Sequence, residues 1–100
     1  NATLEMNYKC SGESFLTEPG LLSDLLTTSI KETVGIDCRL STGGGTSDAR
    51  FIRNYCPVIE FGLVGDTMHQ INENTKVGDI VLLKNIYRNF LKNYNKEFLK

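Results

Sequence analysis

The sequence contains no tryptophan, one histidine and only two prolines among its 100 residues. No stretch approaches the roughly 20 consecutive apolar residues of a membrane-spanning helix, so we expect no membrane span. Eleven basic and twelve acidic residues give a formal net charge of -1, which argues against nucleic acid as a partner. Near the end, basic residues recur at every fourth position, which predicts one solvated stripe on a helix: Lys84, Arg88, Lys92, Lys96 and Lys100.

Cysteine is also scarce, and the three present, Cys10, Cys38 and Cys56, form neither a CxxC pair nor a disulfide framework. This usage favours a reducing compartment, and we expect a cytoplasmic protein. Cys38 and Cys56 are expected as small buried side chains. The sequence has no starting methionine and no charged-then-apolar leader, and it opens inside a predicted strand. We therefore expect a piece of a longer polypeptide.

Three segments have the patterns of β-strands. Apolar and polar residues alternate in ATLEMNYKCS and again in IDCRLS, and CPVIEFGLV is a short, β-branched apolar run. Two segments have helical spacing instead. The first helix is predicted after Thr17, as its N-cap, and ends at Gly35. The second is predicted from Val77, with Asn74 or Thr75 as its cap and a frayed end over residues 95–100.

A short helix, capped by Thr46 or Ser47, is predicted between the second and third strands. The order of elements is then strand, helix, strand, short helix, strand, loop and long helix, which predicts an α/β fold with a sheet covered by helices. A sheet of so few strands has open edges, through which we expect the chain to self-associate.

The stretch TGGGTSDAR, residues 42–50, is the most unusual local feature. Three consecutive glycines let a ligand approach the backbone, and at a strand-to-helix junction the free N–H groups favour an anion. A conformationally demanding turn would explain the glycines equally well. Arg50 follows one helical turn after Thr46 and could hold a carboxylate by two parallel hydrogen bonds. The alternative for Arg50 is a surface ion pair with Asp48 or Glu60.

The one histidine, His69, lies in a polar loop after the third predicted strand. Loops at the carboxyl ends of strands are where open α/β sheets place their sites, so His69 is a candidate metal ligand or base. The alternative is a purely structural histidine. A zinc site needs three or more protein ligands, and a GxSxG or HExxH motif is missing. The chain by itself is not predicted to be a complete hydrolase.

Four separated motifs resemble a known enzyme family. LSTGGGTSDARFI from Leu40, VIEFG from Val58, MHQINE from Met68 and SGESFLTEPG from Ser11 stand in the family order. They are similar to the carboxyl-terminal part of the succinyl-diaminopimelate desuccinylases, within the di-zinc aminoacylase and carboxypeptidase superfamily. The resemblance extends over essentially the whole chain.

The resemblance implies a cytoplasmic amidohydrolase that removes succinate from N-succinyl-LL-2,6-diaminopimelate in lysine biosynthesis. Such enzymes are homodimers with two zinc ions per subunit, which cobalt could replace. The implied fold is a partial three-layer α/β sheet of a zinc-peptidase-like catalytic domain, preceded by one strand of the lid domain. Residues 1–10 would be the last strand of that lid and dimerisation domain, and residues 11–100 the carboxyl-terminal part of the catalytic domain.

The resemblance also implies roles for individual residues. His69 matches a zinc ligand, Gly45 and Thr46 match the loop that positions substrate and stabilises the oxyanion, and Ser11 and Arg50 match positions that bind its carboxylates. Ala49 stands where the family usually has glycine, which puts the start of the short helix in doubt. The remaining zinc ligands and the glutamate general base have no counterpart here. We therefore expect the chain alone to be inactive and not to bind zinc tightly.

Two other functions remain open on the sequence. The first is a related deacylase, such as an acetylornithine deacetylase or an aminoacylase, because acyl-group specificity also depends on lid residues. The second is a non-catalytic module that uses the glycine loop to bind a carboxylate.

Overall fold

A computed structural model of the chain describes residues 1–45 and 47–99. These residues form three helices, which we number α1, Leu21–Val34, α2, Ala49–Ile52, and α3, Val77–Phe98. Two residues named above lie outside the described part: Thr46 of the glycine loop and Lys100 of the basic stripe. No helix among the described residues is both long and apolar enough to cross a membrane.

The predicted α/β fold is wrong for the described residues, which contain helices but no strand and no sheet. Outside the helices, backbone hydrogen bonds in this part of the chain join residues three or four positions apart, as turns and helix ends do. Alternation reports which side chains share a face, but a strand also needs a second backbone to accept and donate its hydrogen bonds. The described residues supply no such partner strand. Without a sheet, the open edges that we expected to drive self-association are also absent from this part of the chain.

Apolar side chains of the first predicted strand therefore remain in solvent. Leu4, Met6 and Tyr8 are 85%, 75% and 91% exposed. The buried positions expected for Cys38 and Cys56 are also wrong, since all three cysteines are exposed. The radius of gyration is 17.9 Å, whereas about 13 Å is usual for a compact domain of this length. The chain therefore does not close around a single large core.

Helix α1 begins later than predicted, at Leu21, with Gly20 before it instead of Thr17. The hydroxyl of Ser23 accepts a hydrogen bond from the Gly20 backbone N–H at 2.9 Å and donates one to the Gly20 carbonyl at 2.8 Å. This pair of bonds satisfies groups that a helix start otherwise leaves free. The predicted end is confirmed, because Gly35 has a φ of 73° in the left-handed region and donates to the Lys31 carbonyl.

Helix α3 begins at Val77, directly after Lys76, so neither Asn74 nor Thr75 is its cap. The helix continues to Phe98, and the predicted fraying from residue 95 onward is wrong within the described residues. Aromatic rings spaced by four residues contact one another along this end. Tyr94 lies 6.2 Å from Phe90 and 4.4 Å from Phe98, measured between ring centroids. These contacts support the last turns.

The core lies where α1 packs against α3. Leu26, Ile30 and Ile86 are buried there, and four partly buried apolar side chains pack around them: Val34, Ile59, Phe61 and Phe90. Phe61 also meets Tyr87 edge to face, with ring centroids 6.3 Å apart, and its carbonyl accepts a hydrogen bond from the Tyr87 hydroxyl. The segment before the His69 loop is thereby attached to the helix pair.

A polar cluster joins the two helices beside this core. Ser29 of α1 is fully buried, and its hydroxyl donates to the Leu25 carbonyl at 2.7 Å. Asn93 of α3 donates to the Ser29 hydroxyl at 2.9 Å and to Glu32 at 3.1 Å. Asn89 donates to the same carboxylate at 2.8 Å. Because buried polar groups are stable only when paired, this cluster fixes how α1 and α3 face each other.

We expect Asn93→Ala to lower the free energy of unfolding by about 1–2 kcal/mol, because two hydrogen bonds between the helices are lost. Urea unfolding followed by circular dichroism measures the difference. Asn95→Ala on the same helix is the matched control, since the Asn95 side chain is exposed, and we expect it to change stability little. Equal losses in both variants would contradict the role given to Asn93.

Hydrogen bonds from Asn93 and then Asn89, with the nearby charge of Lys96, hold the pKa of Glu32 below the ordinary value of a glutamate. The ionised carboxylate therefore contributes to stability above the unfolded-state pKa, and this contribution is lost as the pH falls through the lowered folded-state pKa. We expect Asn93→Ala to raise the pKa of Glu32. An NMR titration of the Glu32 carboxyl carbon tests this, and an unchanged pKa in the variant would count against it.

Candidate functional site

The glycine loop leads into α2 through Ser47. The N-cap of α2 is Asp48, so the predicted cap at Ser47 is wrong, and Thr46 lies outside the described residues. The Ser47 hydroxyl does accept a hydrogen bond from the Ala49 backbone N–H at 3.0 Å. Helix α2 has only four residues, however, and few peptide dipoles add up over a single turn. The helix therefore adds little positive charge to the loop. A ligand anion would depend on the Arg50 side chain instead.

Arg50 is held in place without an acidic partner. Its guanidinium carbon lies 4.8 Å from the centroid of the Phe51 ring, a cation–π contact. Its Nε is buried and has no hydrogen-bond partner among the described residues. The predicted alternative, an ion pair with Asp48 or Glu60, is not present. A guanidinium that has no carboxylate beside it can donate hydrogen bonds to the carboxylate of a ligand.

The Arg50 side chain approaches the segment that begins at Ser11. The Arg50 side chain lies directly against Gly12, the residue that follows Ser11. The Arg53 guanidinium carbon lies 5.6 Å from the centroid of the Phe15 ring, which is a second contact between the same two segments. Residues 11–15 therefore run beside α2. We call Ser11, Gly12, Arg50 and Phe51 the arginine cluster.

His69 is exposed, in a loop with unusual backbone geometry. Its φ is 63°, and that of Asn72 is 66°, both in the left-handed region. Residues other than glycine rarely occupy this region, and when they do they are concentrated at functional sites. The imidazole is not part of the hydrophobic core, so the purely structural alternative has no support from burial.

The loop that carries His69 is closed by Thr67 and Asn74. The Thr67 hydroxyl donates to the Asn74 carbonyl and accepts from the Asn74 backbone N–H, each at 2.9 Å. The backbone N–H of Met68 donates to the Gly65 carbonyl, and that of Gln70 donates to the Thr67 carbonyl, so one turn precedes His69 and a second encloses it. The His69 backbone is therefore held by its neighbours even though its side chain is in solvent.

The glycine loop and the His69 loop border the same surface depression. This depression has a volume of about 700 Å³, and Gly44, Gly45 and Met68 are among the residues that line it. Two carboxylate residues, Glu60 and Glu73, line it as well. His69 follows Met68 but is not among the described lining residues. The structure thus brings Gly45 near the His69 loop and Arg50 against Gly12, in two separate groups.

The described residues do not form a zinc site by themselves. No three or more histidine, cysteine, aspartate or glutamate side chains come together in residues 1–45 and 47–99 as metal ligands would. His69 offers one exposed imidazole. Arg50 offers a guanidinium, which can bind an anion.

Comparison with known proteins agrees with the four motifs. Residues 3–93 match the model of peptidase family M20/M25/M40. The chain belongs to this peptidase family. The match includes all of α1 and α2 and ends within α3.

Individual members are also similar to the chain. The succinyl-diaminopimelate desuccinylases of Ruegeria pomeroyi and Roseobacter denitrificans are 53% and 54% identical to it over 91 residues, which is 91% of the chain. The enzyme of the same name from Afipia carboxidovorans is 56% identical over 86 residues. These matches confirm the resemblance drawn from the sequence. The chain spans about a quarter of the length of these relatives, 24% for the first two.

We expect Thr67→Val to open the His69 loop, because valine has nearly the shape of threonine but can neither donate to nor accept from Asn74. Hydrogen exchange of the Asn74 amide should become at least about tenfold faster, which corresponds to the loss of roughly 1.4 kcal/mol. Thr67→Ser keeps the hydroxyl and is the control, in which exchange should stay close to that of the unchanged chain. Slow exchange in the valine variant would mean that other contacts close the loop.

Proposed function

We propose that this chain is part of a zinc-dependent amidohydrolase that cleaves N-succinyl-LL-2,6-diaminopimelate to succinate and LL-diaminopimelate. The observation that carries the proposal is Arg50, which lies against Gly12 without an acidic partner among the described residues, in a chain more than 50% identical to desuccinylases. A succinyl group ends in a carboxylate, and arginine binds a carboxylate with two parallel hydrogen bonds.

In this proposal each predicted site residue keeps a separate role. Ser11 and Arg50 bind substrate carboxylates, and Gly45 leaves the backbone open beside the depression that it lines. Thr46, which lies outside the described residues, positions the substrate and the oxyanion. No catalytic acid or base is assigned within the chain.

His69 is proposed as a metal ligand. One imidazole does not hold zinc tightly, because zinc sites use three or four protein ligands. The other ligands would come from parts of the enzyme other than the residues described. The chain alone is accordingly proposed to be inactive. Two zinc ions per subunit, or cobalt in their place, a homodimer and a cytoplasmic location complete the proposal.

The division of the chain is proposed from the family resemblance as well. Residues 1–10 would belong to the lid and dimerisation domain, and residues 11–100 to the catalytic domain.

A chimaera tests the proposed function. The 91 matching residues of the Ruegeria pomeroyi enzyme are replaced by the corresponding residues of this chain. We expect the chimaera to hydrolyse N-succinyl-LL-2,6-diaminopimelate at a rate within about tenfold of the unmodified relative, and to be much slower with N-acetyl-ornithine. Product release, followed by liquid chromatography, gives both rates.

The same chimaera tests His69. We expect His69→Ala to lose zinc, measured as metal content after dialysis, because a ligand is removed. Gln70→Ala, in the same turn, is the control and should retain the metal.

A chimaera that prefers the acetyl substrate would instead support the related deacylase. Tight binding of succinate by this chain alone without zinc would support the carboxylate-binding module.

A further inference from the structure

The Gly12 backbone and the Arg50 side chain lie so close together that a larger residue at position 12 would collide with Arg50. A Cβ atom placed on Gly12 would lie 2.7 Å from Cδ of Arg50, 2.9 Å from Nε and 3.3 Å from Cζ. Nonbonded carbon atoms are normally about 3.5–4.0 Å apart. Among the described glycines only Gly35 has a backbone in the left-handed region, so Gly12 does not. Glycine is required here by close approach and not by backbone conformation.

This contact covers one edge of the guanidinium. Cδ and Nε are the two Arg50 atoms nearest to the position of the missing Cβ, and the buried Nε has no hydrogen-bond partner among the described residues. An arginine can bind a carboxylate either through Nε and one terminal nitrogen or through its two terminal nitrogens. A ligand cannot reach a covered Nε. The terminal nitrogens Nη1 and Nη2 are the pair that remains for binding.

The backbone of Gly12 is itself held from the other side. The Cys10 thiol donates a hydrogen bond to the Gly12 carbonyl at 3.1 Å. The Arg50 guanidinium carbon meanwhile contacts the Phe51 ring. The guanidinium is therefore positioned by a backbone surface and by an aromatic ring, and by no charged group. Such contacts fix the place of a cation without neutralising it.

We propose that Gly12 is a positioning residue, whose missing side chain lets Arg50 lie against the backbone and directs Nη1 and Nη2 to bind a substrate carboxylate end-on. This inference rests on the proposed function, in which Arg50 binds that carboxylate. It adds a residue and a binding geometry to that function.

The steric argument predicts what alanine at position 12 would do. The atoms that its Cβ would meet belong to a flexible side chain and not to the backbone, so Arg50 moves and the local fold stays. A displaced guanidinium loses one or both of two charge-assisted hydrogen bonds. The loss of one such bond should lower affinity about tenfold or more.

The kinetic test uses the chimaera. We expect Gly12→Ala to raise KM for the succinyl substrate about tenfold or more, with a much smaller change in kcat. Gly78→Ala is the matched control, because a Cβ at Gly78 meets no atom within 4 Å, and it should leave both constants unchanged. An unchanged KM in Gly12→Ala would overturn the proposal.

A double-variant cycle separates positioning from a general effect on structure. Arg50→Ala removes Cδ, Nε and Cζ, the atoms that a Cβ at position 12 would meet, so Arg50→Ala should raise KM, and adding Gly12→Ala should raise it no further. If Gly12→Ala raises KM equally in both backgrounds, Gly12 does not act through Arg50. If Arg50→Ala leaves KM unchanged, the proposed carboxylate site fails and the Gly12 proposal fails with it.

A measurement on the chain itself tests the packing without relying on activity. In a proton–nitrogen NMR spectrum, the Nε–H of Arg50 should exchange with water more slowly than that of the exposed Arg53. In Gly12→Ala the protection should disappear, and in Gly78→Ala it should remain. Equal exchange at Arg50 and Arg53 in the unchanged chain would overturn the inference. An inactive chimaera with a protected Arg50 would count against the proposed enzyme and would leave the Gly12 contact confirmed.

Discussion

The close approach of α1 and α3 at Ser29 joins the two long helices and holds the core and the segment before the His69 loop. A small side chain at this point lets Asn93 reach across to Ser29 and Glu32, and the apolar contacts of Ile30 and Ile86 lie beside the same crossing. A larger residue at position 29 would separate the helices. The polar bonds and the apolar core are therefore two consequences of one small residue.

The two parts of the candidate site are attached to this helix pair differently. The His69 loop follows a segment that packs on the core through Ile59 and Phe61, and it ends where α3 begins at Val77. Its position is thus set by the helices at both ends. The arginine cluster depends instead on local contacts of Arg50 with Gly12 and with Phe51. A change in the helix pair should reach the His69 loop first.

The sequence predicted what depends on near neighbours and failed where a distant partner decides. The spacing that predicted α1 and α3, and the glycine that ends α1, involve residues a few positions apart. Strand and cysteine burial needs partners that no spacing specifies, and both predictions were wrong. Arg50 and His69 were predicted from motifs, and their roles stay predictions. The role of Gly12 was missed, because a single glycine gives no sign of which side chain will approach it.

In the proposed function, recognition and metal chemistry depend on different parts of the enzyme. An arginine placed by a glycine and an aromatic ring needs only three residues, all within the described chain, to offer a carboxylate a defined position. Metal chemistry needs at least three ligands that converge on one point, and the described residues do not bring three together. Binding groups can thus be built from local contacts in a chain that covers 24% of its relatives. A metal centre, which requires residues from several elements, depends on a larger folded structure.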